Sequence, residues 1–268
     1  MVPRFLELTG WEEALSRALR RCTEEGGRTA ELIADRDESG IRFDDLLKRS
    51  LDLFAAAGLL LVLSPLIAVI AISIKLDSAG PIFYRGRRVG RGGGELKMLK
   101  FRKMRGDAAG PPLTLTDDER LTRVGRFLAR SKIDEVPQLW NVLKGEMSLV
   151  GPRPEDQSFV ELRPDDFREI LRVKPGITGL SQLAFARESE LLDASDRLSD
   201  YLERFLPQKI ALDRLYVARR TIWRDLSILL WTVAAVLLRR DVAVNRRTGR
   251  LTRRRRPAAK LDTAPSPR

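Results

Sequence analysis

The apolar positions of this chain are distributed in three ways: one long unbroken run, several segments with helical or strand periodicity, and polar ends. The long run is FAAAGLLLVLSPLIAVIAISI, residues 54–74, which is 21 positions without a charge. As a straight helix it covers about 31 Å, enough to cross the hydrocarbon core of a bilayer. Ser64-Pro65 stands at its midpoint, where proline removes a helix hydrogen bond and bends the axis. Both flanks are basic, with Arg42, Lys48 and Arg49 before the run and Lys75, Arg85, Arg87 and Arg88 after it. A single span is expected to show a Lys/Arg asymmetry. The residues thus leave two readings, a kinked spanning helix and a re-entrant helix that enters and leaves on the cytoplasmic side.

After this run the period changes. Residues 81–105 read as two strands around a Gly-rich turn at 90–94, with Leu96, Met98 and Phe101 as the apolar positions of the second. Residues 108–119 read as a loop, and DERLTRVGRFLARSKI as a helix. A strand or extended turn is expected at 147–153, then a short helix ended by Pro175-Gly176. Leu191, Leu198, Tyr201, Leu202, Phe205, Leu212 and Tyr216 give 190–221 a helical period. LSILLWTVAAVLL, residues 226–238, is apolar for only 13 positions, about 20 Å of helix, too short to span. Trp223, Trp231 and the following Arg239-Arg240 suit a helix lying at a membrane interface, although a buried core helix has the same pattern. Trp11, Leu15 and Leu19 predict one or two short surface helices in the polar first 45 residues, which lack the apolar core of a signal peptide.

Composition narrows the chemistry. The 268 residues include a single cysteine, Cys22, and no histidine. An intramolecular disulfide is excluded, and so are histidine-based triads. Acid–base or nucleophilic work falls to carboxylates, lysine, tyrosine or hydroxyls. Net charge is +12, and residues 239–268 alone carry eleven Lys/Arg against two Asp. Such a tail predicts disorder and suits nucleic acid or an anionic membrane surface.

The candidate chemistry lies in RSKIDEVPQLWNVLKGEMSLVGPRPE, residues 130–155. Pro137 is tolerated only in the first turn of a helix, so a helix is predicted to start near Asp134, with Gly145 as its C-terminal cap. Asp134 and Glu135 then read in two ways. They are a capping residue and a dipole-friendly neighbour, or they are two carboxylates with separate chemical roles, since adjacent helix positions diverge by about 100°. The surrounding cations favour the second. Lys100, Arg102, Lys103 and Arg105 follow the Gly-rich turn, Arg126, Arg130 and Lys132 precede the acids, and Arg153 is held between Pro152 and Pro154. Arginines around a helix start form a phosphate site. Within one, a carboxylate can hold Mg²⁺ and another can attack phosphorus.

IDEVPQLWNVLKGEMSLVGPRPE closely resembles the signature of the bacterial sugar transferase family, the monotopic phosphoglycosyl transferases. KRSLDLFAAAGLLLVLSPLIAVIAISIKLDSAGPIFYRGRRVG, KFRKMRGDA, TRVGRFLARSKIDE, RVKPGITGLSQ and IALDRLYVARRTIWRDLSILL follow in the family's order. Together they cover roughly residues 46–240.

The resemblance implies an α/β fold, mostly α, associated with the membrane. A re-entrant helix at 54–74, broken at Ser64 and Pro65, would precede a small cytosolic catalytic domain with an interfacial amphipathic helix at 222–238. Residues 1–45 would be a polar extension and 241–268 a basic disordered tail. The implied reaction moves a sugar 1-phosphate from a UDP-sugar to undecaprenyl phosphate and releases UMP, starting surface polysaccharide or glycoconjugate synthesis. Asp134 would match the nucleophile that forms a phosphosugar–aspartyl intermediate, and Glu135 its partner, associated with Mg²⁺. Lys100, Arg102, Arg126 and Arg153 would serve the phosphates. The expected location is the cytoplasmic face of the bacterial inner membrane, among anionic lipids, with a homodimer as a compatible assembly and no nucleic acid.

The chain departs from the family pattern at Lys103, where threonine is common, at Leu180, where tryptophan is common, and at Ala186-Arg187, in place of a Gly-Arg pair. Residues 181–189 are therefore unusual and bear on sugar recognition. Two rival readings are a membrane-tethered nucleic-acid-binding protein using the Arg-rich tail, and a catalytically silent scaffold of the same fold.

Overall fold

The computed structural model describes residues 43–105, 118–186, 197–238 and 242–253. The surface helices expected in the first 45 residues lie almost wholly outside them. The described chain is mostly helical, with three two-stranded sheets.

Helix α1, Phe43–Asp77, runs through Ser64 and Pro65, where a break was expected, without interruption of its helical pattern. Proline has no N–H, so the carbonyl of Leu61 loses its normal helical donor. The Ser64 hydroxyl takes that place, donating to Leu61 O at 2.8 Å. The apolar stretch is largely uncovered, and Phe54 is 79% exposed. Among the described residues α1 is the one helix long and apolar enough to cross a membrane.

Both ends of α1 are fastened to the same globular body. Near its start, Lys48 donates to Val150 O and to Asp225 at 2.6 Å, Arg49 to the carbonyls of Val142 and Leu143, and Asp52 accepts from Leu149 N–H. Near its end, Ile70 and Ile74 pack in one cluster with Phe101 and Leu128. Asp77 accepts from Val124 N–H at 3.0 Å.

Strands β1, Phe83–Val89, and β2, Glu95–Phe101, form the expected antiparallel hairpin around the glycine-rich turn. Helix α2, Arg123–Ser131, starts on Thr122, whose side chain accepts from Gly125 N–H. A 3₁₀ turn, Ile133–Glu135, follows, then α3, Gln138–Lys144, closed by Gly145 at φ 83°. The α-helix thus begins four residues after Asp134 rather than at it. Lys132, at φ 60°, reverses the chain and starts a tight turn that occupies those positions.

Strand β3, Ser148–Val150, pairs in parallel with β4, Gly176–Thr178. Between them lie α4, Gln157–Leu162, and α5, Pro164–Ile170. Then come α6, Leu180–Ala184, α7, Arg197–Asp200, a π-helical turn at Tyr201–Phe205 and α8, Leu206–Ala218. Helix α9, Ile222–Leu237, buries Ile228 against the body while Trp223 is 78% exposed.

The disorder expected of residues 241–268 is corrected for 242–253, and 241 and 254–268 lie outside the described residues. Val242–Val244 and Leu251–Arg253 form a hairpin, β5–β6, rather than disordered chain. Asn245 accepts from the N–H groups of Arg247 and Thr248, and Gly249 adopts φ 70°. This is a turn that asparagine and glycine favour. Val242 and Leu251 are buried in the main core cluster.

Candidate active site

The site forms where β2, the Lys132–Glu135 turn and the Pro-Arg-Pro segment after β3 meet. Asn141 fixes α3 against the edge of β2. Its side chain accepts from Leu99 N–H and donates to Lys97 O, both at 2.9 Å, standing in for a neighbouring strand. The α2 start is pressed onto the chain just past β2. Thr122 N–H donates to Lys103 O, and a Cβ on Gly125 would meet that oxygen at 1.9 Å. Only glycine permits so close an approach.

These packings bring Lys100 to Glu135, with Nζ 2.7 Å from Oε1. Arg153 reaches the same oxygen at 3.9 Å. Burial pushes the Glu135 carboxyl up, but the Lys100 and Arg153 charges and the Lys100 hydrogen bond outweigh it and hold the group at about 2. Asp134 is 2% exposed. The Lys103 ammonium is 3.6 Å from its Oδ2, beyond hydrogen-bond length, so charge rather than a bond holds this carboxylate. Burial lowers the Lys103 pKa, and Asp134 opposes that.

Behind Arg153 lies a buried polar group. Asp213 accepts from the Arg153 backbone N–H and from the Ser181 hydroxyl, the latter at 2.7 Å. Tyr201 OH donates to Glu155 at 3.0 Å, and Lys209 Nζ lies 3.9 Å from Glu155. Burial raises the Asp213 carboxyl to about 7, with Ser181 opposing and Glu155 adding to the rise. The segment is also tied by Gly176 N–H to Pro152 O at 2.8 Å.

The structure therefore brings Lys100, Asp134, Glu135 and Arg153 together. Arg102 is not in this group. Its guanidinium is buried at the end of α1, donating to Ser78 O at 2.7 Å, to Ala79 O and to the Ser78 hydroxyl. Strand β2 ends at Phe101, so Arg102 no longer follows the alternation that presents Lys100. Arg126 lies exposed on α2, close enough to Asp77 to lower its pKa. Lys103 was among the cations expected around the acids, and the structure sets it beside Asp134 in particular. Sequence reasoning missed Asn141, Glu155 and Asp213, whose roles depend on burial.

The residues from Phe43 to Arg239 match the family model described as bacterial sugar transferase. The chain belongs to this family. A UDP-glucose:undecaprenyl-phosphate glucose-1-phosphate transferase of Caulobacter vibrioides is 40% identical over 72% of this chain and 70% of its own length. The exopolysaccharide production protein PSS of Rhizobium leguminosarum is 37% identical over 73% of this chain and 98% of its own. An undecaprenyl-phosphate glucose phosphotransferase of Komagataeibacter xylinus is 38% identical over 74% of this chain, but the match spans only 37% of that protein.

Glu135 keeps one carboxylate oxygen without a hydrogen bond among the described residues. Its Oε1 is taken by Lys100 and Arg153, whereas no hydrogen bond to Oε2 occurs among the described residues. No cluster of three acidic, histidine or cysteine side chains occurs among the described residues. A Mg²⁺ ion that draws most ligands from water and substrate phosphate still fits one or two carboxylates.

Proposed function

We propose that this protein transfers a sugar 1-phosphate from a UDP-sugar to undecaprenyl phosphate and releases UMP, with Asp134 as nucleophile. The observation that carries the assignment is the buried Asp134 carboxylate, next to Glu135 and faced by Lys103, in a member of this family. An Asp134 oxygen attacks the sugar-bearing phosphorus. The bond between that phosphorus and the bridging oxygen breaks, and UMP leaves with the bridging oxygen and the electron pair. The carrier phosphate then attacks the same phosphorus, and the Asp134 carboxylate is released. The sugar–oxygen bond stays intact throughout.

Lys100, Lys103 and Arg153 offset the repulsion between a carboxylate and an anionic phosphate. Glu135 would hold Mg²⁺, which when bound supplies charge neutralisation on the diphosphate. Holding Glu135 ionised keeps it ready as a ligand.

Helix α1 acts as a re-entrant anchor on the cytoplasmic face of the inner membrane. Supporting this is the attachment of both its ends, through Lys48 and Asp52 and through Ile74 and Asp77, to one globular body. The uncovered apolar surface of α1 and the exposed Trp223 of α9 suit the interface. The lipid carrier's phosphate then arrives at the height of the site.

The test is UMP release from a panel of UDP-sugars by the detergent-purified full chain, with Mg²⁺ and undecaprenyl phosphate, beside Asp134→Asn. Release with one donor, and none from the variant, is the expected result. Full activity in Asp134→Asn removes the nucleophile assignment.

A further inference from the structure

The β1–β2 hairpin has a second face. Side chains alternate along a strand, so Lys97 and Leu99 point away from the side that carries Lys100. Opposite them across the ladder stand Arg87 and Arg85. This second face lines a groove of about 1240 Å³, closed on its other sides by α1 and α3.

The groove is graded. Along β1 its lining passes from Phe83 to Arg85 and then to Arg91 beyond the strand; along β2 it passes from Leu99 to Lys97; along α3, from Pro137 and Trp140 to Lys144. Leu60 and Ile67 of α1 add only hydrocarbon. One end is thus apolar and continuous with the membrane helix, and the other is basic.

The basic end is not internally neutralised. Arg87 pairs with Glu95 and Lys144 with Glu146. No carboxylate lies within ion-pairing distance of Arg85, Arg91, Lys97 or Lys174 among the described residues. Burial lowers the Lys174 pKa, and the nearby Arg49 and Arg91 charges lower it further.

We infer that this groove binds an anionic phospholipid, with its headgroup phosphate on Arg85, Lys97 and Lys174 and an acyl chain along Ile67, Phe83 and Trp140. A site that couples unbalanced positive charge to an apolar wall fits a ligand that is both anion and hydrocarbon. A soluble nucleotide offers only the anion. The lipid is a resident ligand and not the acceptor, because Lys100 and Glu135 lie on the other side of the hairpin. The inference rests on the membrane-anchored reading of α1.

The experiment uses the full chain purified from vesicles of phosphatidylcholine with phosphatidylglycerol, and native mass spectrometry reads the lipid retained. Wild type is expected to keep phosphatidylglycerol in preference to phosphatidylcholine. The double variant Arg85→Gln/Lys97→Gln, which changes two exposed side chains, is expected to lose about 30-fold in that retention, as removal of two basic contacts implies. UMP release in detergent should be unchanged. Equal retention by both proteins overturns the inference, and so does a raised KM for undecaprenyl phosphate in the variant, which would make the groove the acceptor's path. Retention without UMP release from wild type leaves the lipid site standing and removes the transferase reading; release without retention does the reverse.

Discussion

The Lys103 ammonium and the Asp134 carboxylate face each other at 3.6 Å, inside ion-pairing range but without a hydrogen bond. This spacing keeps the carboxylate's lone pairs available while lowering the electrostatic barrier to an anionic phosphate. Lys103→Met should lower kcat by about a hundredfold, the low end for removal of one stabilising group from an active site. KM for the UDP-sugar should move less. Steady-state kinetics of UMP release decides this, and an unchanged kcat would leave Lys103 as a bystander.

Glu135 contributes to the acid limb of stability. Its carboxyl sits at about 2 in the fold against an ordinary 4.5. A lowered acid stabilises the fold above its ordinary value, and that stabilisation is lost as pH falls through the folded value. Wild type should therefore lose Tm between about pH 5 and 2, and Glu135→Gln should flatten that decline. Parallel Tm–pH curves for the two proteins would count against the Lys100–Glu135 clamp.

Asp213 has the opposite sign. Its folded value, about 7, lies above the ordinary 3.8. Stability is present in full below the ordinary value and is lost as pH rises through the folded one. Asp213→Asn should remove that loss, so its Tm at pH 8 should exceed the trend set by wild type. A Tm–pH series in detergent checks it. A variant that loses Tm equally at every pH would show that the hydrogen bonds alone matter here.

Ser64 and Pro65 should be energetically coupled. Ser64→Ala strands the Leu61 carbonyl only while Pro65 supplies no N–H. In a Pro65→Ala background the backbone donor returns. The cost of Ser64→Ala should therefore be larger with Pro65 present, by about 1 kcal/mol, the net value of one hydrogen bond. A double-mutant cycle of unfolding free energies measures the difference, and simple additivity would dismiss the substitution of hydroxyl for amide.

The hairpin 83–101 and the Gly145 cap were readable because each depends on short-range pattern, whereas Lys100, Glu135 and Arg153, 18 to 53 positions apart, were grouped by the family resemblance. The long apolar run was equally plain. Arg102 was assigned to the phosphates by the family resemblance, and only the folded chain shows its guanidinium turned to Ser78 and Ala79 at the end of α1. The β5–β6 hairpin was hidden by composition: arginines dominate NRRTGRLTR, while its turn signal is only Asn245 and Gly249. The first turn of α3 was placed too early because proline marks a helix start only to within a few residues, and Lys132 spends its left-handed conformation on a separate 3₁₀ turn. Glu155 and Asp213 carry no local pattern. Their partners arrive from residues 32 to 60 positions away, which only the folded chain brings together.

A helix clamped at both ends has no freedom to choose its depth. Lys48 and Asp52 hold one end, and Ile74 and Asp77 the other, and in the proposed anchor the hydrocarbon between them would stay in lipid. Under that proposal the body would ride at a height dictated by its own clamps, and the bilayer would have to conform to the protein. Changes in membrane thickness then act as a mechanical load on α1, transmitted through Phe101 to the strand that carries Lys100. Turnover by this enzyme should register how thick its membrane is, even though the chemistry takes place in water.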